Sequence, residues 1–236
     1  MGNDNNSREL AYQVTNESLE AIVKGLNIQP EDSVLSVCGS GDQAFAILEK
    51  ANNIVVVDSF PKQINYFVKR KNLLKAGEFE GVLTPEEMLT DKRDLQHLKL
   101  RNEYFSEGRL KRIQDKLKDS ERIRKITGSL FDLTFAENEF NKIYLSNILT
   151  YSLKPKTIEL AQGRLKTIAG WLSDKGLIYL SDYNFIIRRG IYESEKSFLE
   201  PSGLIVNPEL TAEAQRLQEK ARYWINLEPV VLQKVA

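Results

Sequence analysis

VLSVCGSGDQAF, residues 34–45, and NNIVVVDSFPKQINYF, residues 52–67, decide the predicted fold of this chain. Each segment contains a short apolar run, which is typical of a buried parallel strand, and each run leads through a loop into a helical pattern. Gly39 and Gly41 follow the first run, and Asp58 follows the second. Glycines let backbone N–H groups approach a ligand closely, and an acid at a strand end can accept hydrogen bonds from ribose hydroxyls. The order therefore predicts an α/β sheet that binds a nucleoside.

The same alternation continues along the chain. Helical patterns at 42–50, 61–74, 156–172 and 208–222 separate apolar runs at 34–37, 54–57, 123–127, 142–145, 176–180 and 229–235. Strands that alternate with helices pair mainly in parallel and are covered on both faces. We therefore predict a doubly wound, mainly parallel, Rossmann-like sheet within one domain that spans residues 1–236.

Two stretches depart from this alternation. Residues 1–30 carry apolar side chains such as Leu10, Val14 and Leu19 at roughly helical spacing, which predicts a helical N-terminal segment. Residues 78–125 are highly charged and helical in pattern, and a structureless loop of that length is uncommon, so we expect a helical insertion. Its basic part, residues 101–125, fits either a lid over a phosphate or lipid headgroup or a solvated helix with ion pairs, and we favour the solvated helix.

The composition narrows the class of protein. The 33 basic and 33 acidic residues cancel, so no overall field attracts nucleic acid or an anionic membrane. Cys38 is the only cysteine, which excludes an intrachain disulfide and fits a reducing cytoplasm. No apolar run reaches the roughly 18 residues of a membrane-spanning helix, and the first ten residues lack the apolar core of a signal peptide. We expect a cytoplasmic protein without a nucleic-acid partner, and the sequence carries no signal for an oligomeric state.

Histidine is nearly absent, which restricts the chemistry. His97 is the only one, so a histidine-rich metal site or a Ser-His-Asp triad would have to be built around it. We expect His97 to lie on a surface helix, and we expect no metal.

A third segment, GSLFDLTFAENEFNKIYLSNIL at 128–149, resembles class I S-adenosylmethionine (SAM) dependent methyltransferases. In that family a Gly-Asp-x-x-Asp-Leu-x-Phe stretch precedes a Phe-Asp pair and the fourth strand. The resemblance implies a seven-stranded sheet that binds SAM. It also implies that Ser129, Leu130 and Asp132 lie near the adenine, and that Ser146 and Asn147 border the methionine end of the cofactor.

The chain is also similar to a narrower group, the betaine-lipid synthase type SAM:diacylglycerol 3-amino-3-carboxypropyltransferases. That group has Asn-Ala-Leu after the first loop, a Val-Asp-x-x-Pro-x-Gln motif and Ser-Asn after the fourth strand. This chain has Gln-Ala-Phe at 43–45, Val-Asp-Ser-Phe-Pro-Lys-Gln at 57–63 and Ser-Asn at 146–147. The similarity implies SAM binding with a lipid-headgroup or small-molecule acceptor. The glycine loop differs from the usual methyltransferase pattern, because the first strand lacks an acid and the loop lacks a third glycine.

These comparisons define a candidate site. The residues predicted to bind the cofactor are Cys38, Gly39, Ser40, Gly41, Asp58, Ser59, Gln63, Ser129, Leu130, Asp132, Ser146 and Asn147. Asn147, Tyr151 and Asp182 follow the predicted fourth and fifth strands and are candidates to orient or deprotonate the acceptor. Attack on a sulfonium carbon needs alignment and exclusion of water rather than a metal. Simpler interpretations stay open: the two glycines serve a turn, and Asp58 caps the helix that begins near Pro61.

Several functions remain open on this basis. Methyl transfer from SAM to an unidentified acceptor is the first hypothesis, and 3-amino-3-carboxypropyl transfer to a lipid or small molecule is the second. An NAD-binding oxidoreductase would use a similar strand and acid, but Ala44 stands where Gly-x-Gly-x-x-Gly has its third glycine. A non-catalytic SAM-binding module that uses the insertion to bind a partner is the last alternative.

Overall fold

Seven strands form one sheet. The computed structural model describes residues 10–86, 89–118, 122–151, 158–181, 195–221 and 227–235, and its strands are β1 (Ser33–Val37), β2 (Asn53–Asp58), β3 (Ile123–Thr127), β4 (Phe140–Ser146), β5 (Leu172–Leu180), β6 (Leu204–Val206) and β7 (Val230–Lys234). They lie in the order β3-β2-β1-β4-β5-β7-β6. Strands β1 to β5 pair in parallel, whereas β7 is antiparallel to β5 and β6. The predicted α/β class with a seven-stranded, mainly parallel sheet is confirmed.

Helices connect these strands. They are α1 (Leu19–Gly25), α2 (Asp42–Leu48), α3 (Pro61–Ala76), α4 (Phe79–Leu83), α5 (Lys92–Tyr104), α6 (Glu107–Leu117), α7 (Ile148–Tyr151), α8 (Ile158–Trp171), α9 (Glu195–Leu199) and α10 (Pro208–Lys220). Pro61 occupies the first turn of α3, where its missing N–H is not needed. Gly77 ends the same helix in the left-handed conformation, with φ +83°. No helix in the described ranges is long and apolar enough to cross a membrane.

Both faces of the sheet are buried. Successive strand residues point to opposite faces of the sheet. Val34 of β1 therefore lies in the core cluster on one face, and Leu35 lies in the cluster on the other face. Helices α1, α2, α3 and α10 cover the first side, and α8 and α9 cover the second. A sheet covered on both sides needs nearly continuous apolar strands, which explains why the strands could be predicted from short apolar runs.

Two strands differ from the prediction. The sequence pattern does not predict β6, because its three residues are too short to show a period and its pairing with β7 depends on the tertiary fold. Strand β5 begins at Leu172, which pairs with Phe140, rather than at 176. The residues between look like a turn, and Lys175 indeed has φ +61°, yet the strand continues through this irregularity.

The N-terminal segment is less helical than predicted. Helix α1 covers only Leu19–Gly25, and residues 10–18, here called the N-terminal strap, follow an irregular path. The helical interpretation is therefore wrong for the strap. Leu10 and Val14 have helical spacing, but the backbone N–H and C=O groups of the strap bond to side chains from distant elements instead of to a helical ladder.

The insertion between α3 and β3 contains α4, α5 and α6. Arg109 and Arg112 of α6 form ion pairs with Glu49 of α2, each at 2.6 Å. Three apolar side chains of α6 join the core on the α3 side of the sheet: Leu110, Ile113 and Leu117. Helix α6 thus packs on the domain through its apolar side and carries ion pairs beside it.

His97 of α5 is only 4% exposed, so the expectation of a surface position is wrong. Burial lowers the pKa of His97. The charged sequence pattern of the insertion does not reveal this burial, because the buried residues of α5 are two polar ones, His97 and Arg101, one turn apart. A helix that buries polar side chains gives no hydrophobic stripe from which its inner face could be recognised.

Candidate functional site

A large cavity lies where the strand order reverses between β1 and β4. Open α/β sheets bind ligands at the carboxyl ends of their strands at such a point. The cavity has a volume of about 740 Å³, within the roughly 300–1,000 Å³ typical of ligand pockets. Three strand ends contribute to its lining, through Val37 of β1, Asp58 of β2 and Ser146 of β4. The strap also lines it, through Ala11, Tyr12, Val14, Thr15 and Asn16.

A smaller cavity of about 170 Å³ adjoins the large one. Both are lined by Val37, Asp58, Ser59 and Ile148. The rest of the small cavity is mostly apolar and is formed by Val57 and residues 128–131, so it suits a flat base more than a charged group. Ser129 and Leu130, predicted near the adenine, line this cavity, whereas Asp132 does not.

Asp58 stands where the two cavities meet. Its Oδ2 accepts a hydrogen bond from the backbone N–H of Gly39 at 3.2 Å, and its Oδ1 accepts one from the N–H of Phe60 at 2.9 Å. Burial raises the pKa of the Asp58 carboxyl, against the opposing effect of these two N–H groups. The bond to Phe60 holds the turn at the N-cap residue of α3, so support of this turn and ligand binding are compatible roles. A carboxylate offers about four acceptor positions, and both oxygens keep acceptor capacity.

The two glycines of the loop after β1 differ in their surroundings. Gly39 has φ +50° and lines the large cavity, and a Cβ there would meet only the Gln43 side chain, at 3.8 Å. Gly41 has φ +84°, and a Cβ there would lie 2.8 Å from the Phe67 ring. Gly39 therefore borders the ligand space, and Gly41 is required for the packing of the loop against α3.

The other residues predicted in these loops also fall into two groups, those that line a cavity and those that shape the loop. Ser40 and Ser59 line the large cavity. Cys38 is buried and lines neither cavity, and burial together with the Asp58 charge raises the pKa of its thiol. Cys38 shapes the loop through its carbonyl, which accepts a hydrogen bond from the N–H of Gly41 at 2.7 Å.

Gln63, the last residue of the Asp-x-x-Pro-x-Gln pattern, holds the strap. Its Oε1 accepts hydrogen bonds from the N–H groups of Ala11 and Tyr12, at 3.0 and 3.3 Å. Its Nε2 donates to the carbonyls of Tyr12 and Gly39, at 2.7 and 2.5 Å. Gln63 lines neither cavity. Its position behind the loop joins the strap to the glycine loop.

A buried ionic cluster, which the sequence does not indicate, supports the loop from behind. Asp42 at the start of α2 forms a 2.6 Å ion pair with Arg70 of α3, and Arg101 of α5 lies 3.9 Å from the same carboxylate oxygen. The other oxygen accepts hydrogen bonds from the N–H of Thr15 and the hydroxyl of Ser40, at 3.0 and 2.8 Å. The cluster therefore connects the strap, the glycine loop and the insertion.

Glu17 of the strap is a second buried acid that the sequence does not indicate. The hydroxyls of Tyr144 and Ser146 both donate to its Oε1, at 2.7 and 2.6 Å. Ser146 has φ +53°, which is uncommon for a residue other than glycine. These partners lie 127 and 129 residues beyond Glu17, so no local pattern reveals the contact.

The residues predicted to act on the acceptor are described only in part. Asn147 lines the large cavity. Tyr151 is the last residue of α7, but its side chain lies outside the described part of the chain, and so does all of Asp182. Within the described ranges, no group of three or more His, Cys, Asp or Glu side chains is placed to hold a metal ion.

The sequence matches no protein-family model and no curated protein significantly. Solved structures share the fold at low identity. The YcgJ protein of Bacillus subtilis is 11% identical over 93% of this chain and 98% of that chain, with a TM-score of 0.51. The 4+2 cyclase SpnF is 10% identical over 92% and 80% of the two chains, with a TM-score of 0.50. A complex of the Haloferax volcanii Trm112 methyltransferase activator with a candidate methyltransferase gives 13% identity over 94% and 89%, and a TM-score of 0.50.

Likenesses at these identities establish the fold alone. The strand order and the antiparallel β7 define a Rossmann-like α/β fold, which the matching structures share. The cavities lie at the ligand-binding edge of that fold.

Proposed function

We propose that the protein binds SAM and transfers its methyl group to a small-molecule or lipid-headgroup acceptor. One observation carries the proposal: Asp58, at the end of β2, lines both the small apolar cavity and the large cavity beside the glycine loop. A ribose that joins a base to a methionine chain needs a hydrogen-bond acceptor at that junction. The fold is consistent with the same proposal, because the resemblance of residues 128–149 to class I SAM-dependent methyltransferases implies a seven-stranded sheet of this kind.

The lining residues fit the parts of SAM. Leu130 and Phe131 offer apolar surface to the adenine, and Asp58 accepts hydrogen bonds from the ribose hydroxyls. A Cβ added to Gly39 would have its nearest neighbour, the Gln43 side chain, 3.8 Å away. The space beside this glycine therefore leaves room for the methionine part of SAM. SAM supplies a methyl group made electrophilic by the sulfonium. The protein's task is then to orient the acceptor and exclude water, and the strap that lines the large cavity contributes to that exclusion.

A second reaction is compatible with the same pocket. The Val-Asp-x-x-Pro-x-Gln pattern favours transfer of the 3-amino-3-carboxypropyl group, and Gln63 of that pattern has a specific structural role between strap and glycine loop. The two reactions differ in which carbon of the sulfonium faces the acceptor. Methyl transfer leaves S-adenosylhomocysteine, whereas aminocarboxypropyl transfer leaves methylthioadenosine.

Product analysis separates these reactions. The purified protein is incubated with SAM and cell-extract fractions that contain small molecules or lipids, and both products are quantified by mass spectrometry. We expect S-adenosylhomocysteine from the native chain and no product above background from Asp58→Ala, which controls for spontaneous breakdown of SAM. Methylthioadenosine that depends on Asp58 would assign the second reaction instead.

Thermal shifts separate the proposal from an NAD-binding oxidoreductase. A ligand at 100 times its dissociation constant adds ~2.7 kcal/mol to the free energy of unfolding. We expect SAM to raise the melting temperature and NADH to leave it unchanged. A shift with NADH alone contradicts the proposal, and a shift with SAM without either product in any fraction supports the non-catalytic module.

A further inference from the structure

The Glu17 carboxylate lies directly behind the wall of the large cavity. Its Oε1 is 2.7 Å from the Tyr144 hydroxyl and 2.6 Å from the Ser146 hydroxyl, and both of these residues line the cavity. The preceding strap residues Thr15 and Asn16 line it as well. Glu17 itself is 1% exposed. The hydroxyl groups of Tyr144 and Ser146 thus separate the buried carboxyl group of Glu17 from the ligand space.

The backbone at the end of β4 is shaped to make this contact. The pairing of β4 with β5 shifts register between Tyr144 and Ser146, and such bulges re-aim side chains next to functional sites. Ser146 then adopts φ +53°, a left-handed conformation that is unfavourable for a residue with a Cβ. Residues held in this way cluster at sites of function. The strained residue is the one whose hydroxyl reaches Glu17.

Both hydroxyl groups donate to the same oxygen of Glu17. Two short hydrogen bonds from hydroxyl donors to one oxygen stabilise a carboxylate. Burial, and after it the charge of Glu17, raises the pKa of Tyr144 well above its ordinary value. Tyr144 therefore stays protonated and donates its hydroxyl hydrogen to Glu17.

We propose that Glu17 is ionised, acts as the counter-charge for the SAM sulfonium and makes this site prefer cationic SAM to neutral S-adenosylhomocysteine. The proposal rests on the proposed function, in which the methionine part of the cofactor borders Ser146 and Asn147. At an effective dielectric constant of about 20, two opposite unit charges attract each other enough to change an affinity roughly tenfold even when they are about 10 Å apart. Because the sulfonium charge is lost on transfer, the same carboxylate favours exchange of the product for a new SAM.

Isothermal titration calorimetry tests this without knowledge of the acceptor. The probes are SAM and S-adenosylhomocysteine, and the variant is Glu17→Gln, which keeps an oxygen that can accept from Tyr144 and Ser146. We expect the preference for SAM over S-adenosylhomocysteine to fall roughly tenfold in Glu17→Gln, through weaker SAM binding alone. Glu49→Gln is the matched control: Glu49 is also buried, but it pairs with Arg109 and Arg112 and lines neither cavity. Its preference should equal that of the native chain.

The outcomes separate this inference from the proposed function. Equal weakening of both ligands in Glu17→Gln would identify Glu17 as a structural clamp of the strap and overturn the inference, while the proposed function stands. Binding of neither ligand to the native chain would overturn both. Sinefungin, which carries an amine cation in place of the methylsulfonium, needs no variant: the native chain should prefer it to S-adenosylhomocysteine, and equal affinities contradict the counter-charge.

Discussion

Arg70 and Asp42 form an ion pair that is closed to solvent: Nη2 of Arg70 lies 2.6 Å from Oδ1 of Asp42, and the side chains are 1% and 0% exposed. The same guanidinium donates to the carbonyl of Ser40 in the glycine loop at 2.9 Å and to that of Val82 in α4 at 3.0 Å. The pair therefore fixes the candidate cofactor loop to α3 and to the insertion. A loop held from behind in this way presents its Gly39 backbone in a defined position before any ligand binds.

Asp42→Ala should lower the free energy of unfolding by ~3–5 kcal/mol, because it leaves the Arg70 guanidinium buried without its carboxylate. Urea denaturation measures the change. Glu213→Ala is the control, since Glu213 pairs with Arg216 on the exposed side of α10, and solvent screens that pair, so no measurable change is expected. Equal denaturation midpoints for the two variants would show that the buried pair does not stabilise the loop.

Gly41→Ala should destabilise the protein by about 1–3 kcal/mol, because the new side chain needs an unfavourable φ and meets the Phe67 ring at 2.8 Å. Gly163→Ala in α8 is the matched change. Nothing lies within 4 Å of its added Cβ, so the higher helix propensity of alanine should stabilise the protein by about 0.5–1 kcal/mol. Calorimetric melting measures both. A Gly41→Ala protein as stable as the native chain would contradict the packing role of this glycine.

Gln63→Leu should release the strap while the sheet stays folded. The amides of Ala11 and Tyr12 both donate to Gln63, so their hydrogen exchange should accelerate in this variant. Exchange measured by mass spectrometry on the N-terminal peptide tests this. Gln114→Leu in α6 is the control that should leave the peptide unchanged, because Gln114 bonds to Lys75 and Lys111 rather than to the strap. Native exchange rates in Gln63→Leu would mean that other contacts suffice to hold the strap.

Asp58 should make SAM affinity dependent on acid pH. Burial raises its pKa above the ordinary 3.8, although the N–H groups of Phe60 and Gly39 oppose the shift. Its protonated form accepts fewer hydrogen bonds, so affinity should decline as the pH falls through this raised pKa. Calorimetric titrations across the acid range measure the decline, and Asp58→Asn should bind weakly at every pH. A native chain and Asp58→Asn with parallel pH profiles would contradict this role.

The contribution of Asp58 to folding should have the opposite sign. Because its pKa is higher in the folded chain than in the unfolded one, the folded chain binds the proton more readily. The stability due to Asp58 is thus fully present below the ordinary pKa of 3.8 and is lost as the pH rises through the raised value. Acid therefore favours the apo fold through this residue while it weakens the cofactor complex.

The sequence predicts those parts of the fold and site that local pattern determines. Strands β1 and β2 are short apolar runs, and Asp58 falls at the end of β2 because the chain leaves the sheet there. Gly39 lies in the loop because the strand must turn next to a ligand space. These features need no knowledge of distant residues, so a single sequence suffices to predict them.

The parts that the sequence does not predict depend on distant contacts. The strap has helical spacing, yet it is held by Gln63 and Asp42 from other elements. An arginine is usually exposed, but Arg101 is buried because Asp42 and backbone carbonyls surround its guanidinium. Glu17 gains its place only when the end of β4 folds beside the strap. Long-range polar contacts of this kind leave no period or spacing in the sequence.

Calorimetric titration of SAM into the native chain, Asp58→Ala and Asp32→Ala tests whether Asp58 holds the cofactor. Asp32 is the matched control, because its carboxylate is also buried and accepts a backbone N–H, from Gln29 at 2.8 Å, but at the amino end of β1. We expect SAM binding by the native chain, equal affinity for Asp32→Ala, and a loss of roughly tenfold or more for Asp58→Ala. Absence of binding to the native chain, or equal affinity for Asp58→Ala, would contradict this role of Asp58.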